Sequence, residues 1–432
     1  MARAGAPTLG DPVWYGRHPL PTGEALEGER GCDVVVVGGG VAGLHAALRL
    51  ATAGAEVVVV EAAVCGGGTS GRSSGFLTPD SELQLHQLVA RYGAEDAARL
   101  WRFARDGARR IVDTALAHGI DCDLLALDCL YVGIGKAGVQ AIRDEAEARV
   151  TVGFDLEHLE AAALATIHPG DYPTGLRYGG TWAIDAYGYC QGLRGVLIAR
   201  GVRIYEGSPV VAIEGTTVRT LHGAVRARDV IVCMNRIPAA LDPEASEQLY
   251  HAQTVLTVSE PLTPVQVAEL FPDRRFQVWD TNAVYSYYRL TGDNRLLLGG
   301  GSASSTFARH PLRSPRVVNA VIRRFRQRFP TLGELRFERW WPGLIDVTRD
   351  LMPVVDTDPD DPHLSYVMGS PGLPWAAWGG DHAASRLVAP GTEDLGRFFG
   401  WGRPGLVPTG LQAVLGKPLS FAIDILHARQ PG

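Results

Sequence analysis

One stretch, DVVVVGGGVAG at Asp33–Gly43, limits what this chain can fold into more than any other. Its first half is a short run of valines, the pattern of a strand buried on both faces of a parallel sheet. The run ends in Gly38, Gly40 and Gly43, spaced GxGxxG, and the mostly apolar residues Leu44–Ala53 continue as a helix. In that context Gly38 permits a tight turn, Gly40 lets the backbone approach a pyrophosphate, and Gly43 lets helix and strand pack closely. The helix start, at Val41 and Ala42, brings unpaired N–H groups and the positive end of the helix dipole to the same place. Gly54 stops the helix, Val57–Val60 read as the next buried strand, and Glu61 and Ala62 close it. An acid about 20 residues beyond the glycines is placed to accept hydrogen bonds from an adenosine ribose. Strand, glycine turn, helix, second strand and terminal acid together read as a dinucleotide-binding element, which a lone GxGxxG would not establish.

The remaining bounds are broad. A chain of 432 residues is long enough for two domains or one two-lobed enzyme. Its net charge of −6 argues against a nucleic-acid partner, which needs a basic face. The six cysteines are scattered with no CxxC pair, so neither a zinc site, nor any other metal, nor a disulfide framework is expected. No apolar run approaches ~20 residues, and the opening MARAGAPTLGDPVWYG has no signal-peptide core. The expectation is a cytoplasmic protein with no transmembrane segment.

Residues 1–30 read as a Pro- and Gly-rich arm with Trp14 and Tyr15 as anchors. After the dinucleotide unit, GGGTSGRSSG (Gly66–Gly75) offers backbone N–H groups and hydroxyls to a phosphate or a flat ring. Periodicity predicts helices over Glu95–Leu116, Ala137–Ala148 and Arg316–Phe329, and again around Leu411–Arg429. Strands are expected at Leu127–Ile134, Val202–Tyr205, Val210–Glu214, Val218–Thr220 and Val230–Met234. In Val284–Leu290 the alternation puts Tyr285, Tyr287 and Arg289 on one strand face. That Arg either pairs bidentately with a substrate carboxylate or is a surface residue on an exposed face. The basic helix over Arg316–Phe329 reads as a solvated face rather than a membrane surface, given the acidic chain.

The opening motif with GTSGRSSG, GIDCD at Gly119–Asp123, EGSPV at Glu206–Val210, RLLLGGG at Arg295–Gly301 and WWPGLIDVTRDLMPVV at Trp340–Val355 resemble one family. It is the D-amino acid oxidase-like (DAO) superfamily of FAD-dependent amine oxidoreductases, and order and spacing resemble its γ-glutamylputrescine oxidase-like branch. The resemblance implies a two-lobed α/β (α+β) fold of the glutathione reductase/DAO type. A Rossmann-like FAD-binding domain would come from residues 31–88, 175–238 and 338–390, and a mixed-sheet substrate domain from 89–174 and 239–337. Residues 391–432 would be a C-terminal helical tail. It implies the pyrophosphate on Gly38, Gly40 and Gly43, the AMP ribose on Glu61, and adenine on the Val210 backbone. Thr69 to Leu77 (Thr69, Ser70, Arg72, Ser74, Gly75, Phe76, Leu77) would pass along the flavin, and Gly369 to Pro374 (Gly372, Leu373 and Pro374 above all) would face its pyrimidine end.

The activity so implied is oxidation of the C–N bond of an amine or amino acid by hydride transfer to flavin N5. Water would hydrolyse the imine, and O2 would reoxidise the flavin to give H2O2. Arg289, Tyr287 and Tyr285 are the expected substrate contacts, with Trp375 as a pocket wall. A dehydrogenase using a quinone or carrier acceptor, and a non-catalytic FAD-binding partner protein, are the alternatives. The glycine motif alone also admits NAD(P); the GTSGRSSG loop favours FAD. Two departures stand out: SGRSSG where the family has SGRNGG, and GSPGLPW where it has GxSGHGV, so the family histidine is missing. No Cys or His matches the attachment motifs of covalent members, so noncovalent FAD is expected.

Overall fold

The computed structural model describes residues 6–18, 23–80, 82–301, 313–403, 405 and 407–428. Arg429, the end of the last predicted helix, lies outside them.

The valine runs behave as their composition dictates. Val34–Val37 and Val57–Val60 are buried along their whole length and pair in parallel, Val34 opposite Val57. They sit inside a six-stranded sheet in the order Arg203–Tyr205, Val57–Val60, Val34–Val37, Asp229–Val232, Leu364–Met368, Val354–Thr357. All neighbours are parallel except the last pair. A parallel sheet needs helices on its faces. One cover is the helix Val41–Thr52, against which the helix Leu373–Val388 packs. The two backbones approach so closely that a Cβ on Gly380 would lie 2.0 Å from the Ala42 carbonyl oxygen.

A nine-stranded mixed sheet forms the second lobe. Its order is Thr8–Leu9, Phe337–Thr348, Leu249–Pro261, Arg295–Gly300, Tyr287–Leu290, Phe276–Asp280, Asp128–Val132, Thr174–Tyr178, Glu157–Glu160. The amphipathic helix Pro315–Arg328 lays Val318, Val321, Ile322 and Phe325 on one face of it, against Leu296, Leu298 and Phe337. Among the described residues, a four-stranded sheet (Val210–Glu214, Thr217–Thr220, Gly223–Arg226, Gly28–Gly31) and a three-stranded one (Phe76–Leu77, Trp182–Ala183, Leu125–Ala126) complete the β-structure.

Several expectations are corrected. Residues 1–30 are not only an arm: Thr8–Leu9 pair with Arg339 and Trp340, Trp14 is fully buried, and Gly28–Gly31 pair with Gly223–Arg226. The strand expected over Val284–Leu290 begins at Tyr287. The strands Thr174–Tyr178 and Phe337–Thr348 belong to the nine-stranded sheet, although most of their residues fall in segments assigned by resemblance to the FAD-binding domain. Within GSPGLPW, for which no helix was expected, a helix starts at Leu373.

Candidate active site

The carboxyl ends of the parallel strands converge on a cavity of about 600 Å³, a volume typical of cofactor sites. Its floor is the glycine turn. Gly38 has φ +109, and a Cβ on Gly43 would lie 1.9 Å from the Gly38 carbonyl oxygen, so helix and turn can meet only without side chains. The helix Val41–Thr52 opens here with Gly40 at its N-cap and no side-chain cap; Ser70 Oγ accepts the Val41 N–H at 3.1 Å. The helix Leu373–Val388 opens on the same cavity, after Gly372 at φ +103 and again with no side-chain cap. Two helix N-termini therefore bring their first-turn N–H groups and positive dipole ends to one space.

Glu61 stands at the end of its strand and lines the cavity. Its Oε2 accepts the Gly39 N–H at 2.7 Å and its Oε1 the Ala63 N–H at 2.9 Å. Burial pushes its carboxyl above the usual glutamate value, against the pull of these N–H bonds. The opposite wall comes from the segment around Ser70–Arg72, a single 3₁₀ turn. Thr69 Oγ1 donates to the Leu344 carbonyl at 2.8 Å and accepts from Asn235 Nδ2 at 2.7 Å. Trp341 Nε1 donates to the Arg72 carbonyl at 3.0 Å. Both links fasten this wall to the nine-stranded sheet, so the cavity lies between the two sheets.

Of the expected cofactor contacts, Gly38, Gly40, Val41, Ala42, Glu61, Ala62, Thr69, Ser70, Arg72, Val210, Gly372 and Leu373 line the cavity. Gly43, Ser74, Gly75, Phe76, Leu77 and Pro374 do not. Gly43 packs under the turn, and Leu77 is fully buried in the core. Ser370, within the span Gly369–Pro374 expected at the flavin, lines the cavity too, while sequence reasoning missed Asn235, Arg236, Arg313 and Leu344. Asn235 and Arg236 follow the carboxyl end of a parallel strand, where ligands of such sheets bind, and that rule was the available signal. Arg236 has φ +58, and its N–H donates to the Asp346 carboxylate, which also meets His251 Nδ1 at 2.7 Å. Ser370 Oγ is buried with no protein partner among the described residues. Arg313 carries no local signal.

The residues expected to hold substrate do not line this cavity. Arg289 is a clear correction. It is fully buried, and its three nitrogens donate to the carbonyls of Ser74 (2.8 Å), Ile184 (2.7 Å) and Leu290 (3.2 Å). A guanidinium so enclosed has no face for a carboxylate. Tyr287 packs edge-on to Phe76 at 5.9 Å, and burial raises its phenol to about 12. Tyr285, ahead of the strand, donates to Glu82 Oε1 at 3.1 Å. Trp375 is buried against Trp378 and Phe399 rather than forming a wall.

Comparison with known proteins agrees with this geometry. A family profile described as FAD dependent oxidoreductase (DAO) matches residues 33–386. The chain is 32% identical over 365 residues to the γ-glutamylputrescine oxidoreductase of Escherichia coli K12, covering 83% of each chain. Its fold is similar to that of glycine oxidase from Geobacillus kaustophilus, with a TM-score of 0.74 at 19% identity over 87% of this chain and 100% of that one. It is also similar to L-amino acid deaminase from Proteus vulgaris, with a TM-score of 0.71 at 18% identity over 89% of this chain and 96% of that one. The chain belongs to the DAO family of FAD-dependent oxidoreductases.

Proposed function

We propose that this protein oxidises the C–N bond of a small amine or amino acid, with noncovalent FAD as cofactor and dioxygen as electron acceptor, giving an imine that water hydrolyses and hydrogen peroxide. The observation that carries the reading is the pair of helix N-termini, each with a glycine at its N-cap, opening on one cavity beside Glu61. The donor set fits FAD. The start of the helix Val41–Thr52 suits the pyrophosphate, and the Glu61 carboxylate suits the adenosine ribose. The start of the helix Leu373–Val388 suits the electron-rich pyrimidine end of the ring, and the lone Ser370 hydroxyl gains a partner there.

When bound, FAD supplies the two-electron acceptor that no side chain here can supply. The chain holds the reactants and excludes water. An amine that arrives deprotonated needs no protein acid or base, which suits a site whose described lining contains no histidine. The one thiol in that lining, Cys233, is raised by burial to about 12, and a neutral thiol is a poor nucleophile for attachment to a flavin. The amine class follows the name of the Escherichia coli relative. We also place the protein in the cytoplasm, because its six free thiols suit a reducing compartment.

An absorption spectrum of the purified protein tests this. We expect flavin bands, release of the flavin into the supernatant on acid precipitation, and anaerobic bleaching by at least one compound of an amine and amino-acid panel. Rapid return of the bands in air supports dioxygen as acceptor, and slow return moves the acceptor to a quinone or carrier. A colourless protein that cannot be loaded with FAD would overturn the proposal.

A further inference from the structure

Arg289, freed from the role of substrate clamp, is a buried cation in search of an explanation. Its nearest polar partners are carbonyls. The acids that favour its charged form, Asp123 and Asp185, are engaged elsewhere: Asp123 by the Gly292 N–H at 2.8 Å and Arg17 at 3.6 Å, Asp185 by the Gly188 N–H at 2.9 Å and His18 at 3.3 Å. Burial lowers its pKa to about 10, so it stays protonated at neutral pH.

The three carbonyls belong to three different pieces of chain: Arg289's own strand Tyr287–Leu290, the residue before Asp185 and its helix, and Ser74, one residue behind the cavity lining. Ser73, the next residue back, lines the cavity. There is no slack at this junction. Gly75 has φ +75, and a Cβ there would lie 1.9 Å from the Ile184 carbonyl oxygen and 2.9 Å from Arg289 Nη2. A guanidinium, with its fixed fork of donors, can tie three carbonyls where an ammonium cannot hold that geometry.

We propose that Arg289 is a positioning residue of the cofactor site: it pins Ser74 and Gly75 directly behind the cavity-lining Ser73, and its charge, unneutralised by a contacting carboxylate, favours the two-electron reduced state of the bound flavin. This rests on FAD occupying the cavity, as proposed above. The physical ground is simple. Reduction adds negative charge to the flavin, and a fixed cation in a water-poor interior stabilises that charge more than it would in water.

Arg289→Gln and Arg289→Lys test it, read by the FAD dissociation constant (flavin fluorescence on adding FAD to apoprotein) and by the midpoint potential (dye equilibration). Arg289→Gln removes the charge. We expect about a tenfold shift of the redox equilibrium toward oxidised flavin, which is about 30 mV for a two-electron couple, with FAD affinity down about tenfold. Arg289→Lys keeps the charge but not the three-way tie, so its potential should stay near wild type while FAD affinity still falls. A Gln variant with wild-type potential and affinity would overturn the proposal. If that variant does not fold, the Lys variant decides: unchanged FAD affinity overturns the positioning role, and weakened affinity at wild-type potential supports it. A wild-type protein that binds no FAD sinks the cofactor reading itself, which separates the two failures.

Discussion

Glu61 answers to two demands at once. It must end a strand buried on both faces, and it must keep a carboxylate at the cavity edge, accepting the Gly39 and Ala63 N–H groups. Burial is the stronger influence and raises its pKa. The sign follows: for a carboxyl with a raised folded-state pKa, the stability it contributes is present at low pH and lost as pH rises through that pKa. Proton and ribose then compete for the same oxygens. In the proposed arrangement FAD affinity should fall as pH drops through a value above the ordinary glutamate range. Glu61→Gln should remove that step and weaken FAD about 10- to 100-fold, since hydrogen bonds to a charged group contribute about 1.5–3 kcal/mol. Fluorescence titration of apoprotein with FAD across pH would show it, and a pH-independent wild-type affinity would remove Glu61 from the ribose site. Glu61 was legible because position and chemistry coincide in the motif. Arg289 was misread because strand alternation tells which face a side chain takes, not whether carbonyls from distant segments close over that face.

Elements differ in how much of their placement is local. The unit Val34–Val60 was readable because valine burial, glycine turn and helix all depend on neighbours in sequence. The strand Phe337–Thr348 was not, because Pro342 reads as a breaker. It is tolerated because beyond Trp340 that side of the strand has lost its partner Thr8–Leu9 and needs no N–H. The helix starting at Leu373 hides behind Pro374, which a first turn accepts without loss. Long-range ion pairs are least visible of all. Arg149, on the helix Gly135–Thr151, donates to Glu145 at 2.8 Å and to Asp80 at 2.8 Å, while His86 meets Glu145 at 2.9 Å and Tyr178 donates to Asp80 at 2.5 Å. Glu145 is fully buried; burial would raise its pKa, but Arg149 and His86 outweigh that and lower it. Two helices, one strand and the loop at Asp80 thus meet in one buried cluster around the guanidinium. Arg149→Ala would take the guanidinium from two buried carboxylates and leave them only His86 and Tyr178 as partners, and we expect a loss of about 3–5 kcal/mol, measured by denaturant unfolding. A change under 1 kcal/mol would mean that water reaches the cluster.

At the scale of the molecule, the cavity joins what the chain keeps apart. Val37, Val60 and Val367 bring the six-stranded sheet to it, and Pro342, Leu344 and Ile345 bring the nine-stranded sheet. The first side of the site was legible in sequence, since it follows from the glycine motif. The second was not, since it depends on the register in which Leu344 faces Gln253 across a 13-residue strand. A ligand that touches both lobes binds only when both are folded and docked, so its binding free energy adds to the stability of the whole. At a free FAD concentration 100 times the dissociation constant the gain is about 2.7 kcal/mol. For a chain this long that corresponds to roughly 3 °C, at about 1 °C per kcal/mol. Apoprotein should therefore melt lower than the FAD-loaded protein, in a transition that moves up as a unit with FAD concentration. NAD⁺ at the same concentration should leave it in place, because in the proposed arrangement the start of the helix at Leu373 meets the pyrimidine end of an isoalloxazine, which nicotinamide lacks. A shift with NAD⁺ but not FAD would reassign the cofactor. A shift confined to one of two separate melting steps would mean that the cavity does not couple the lobes.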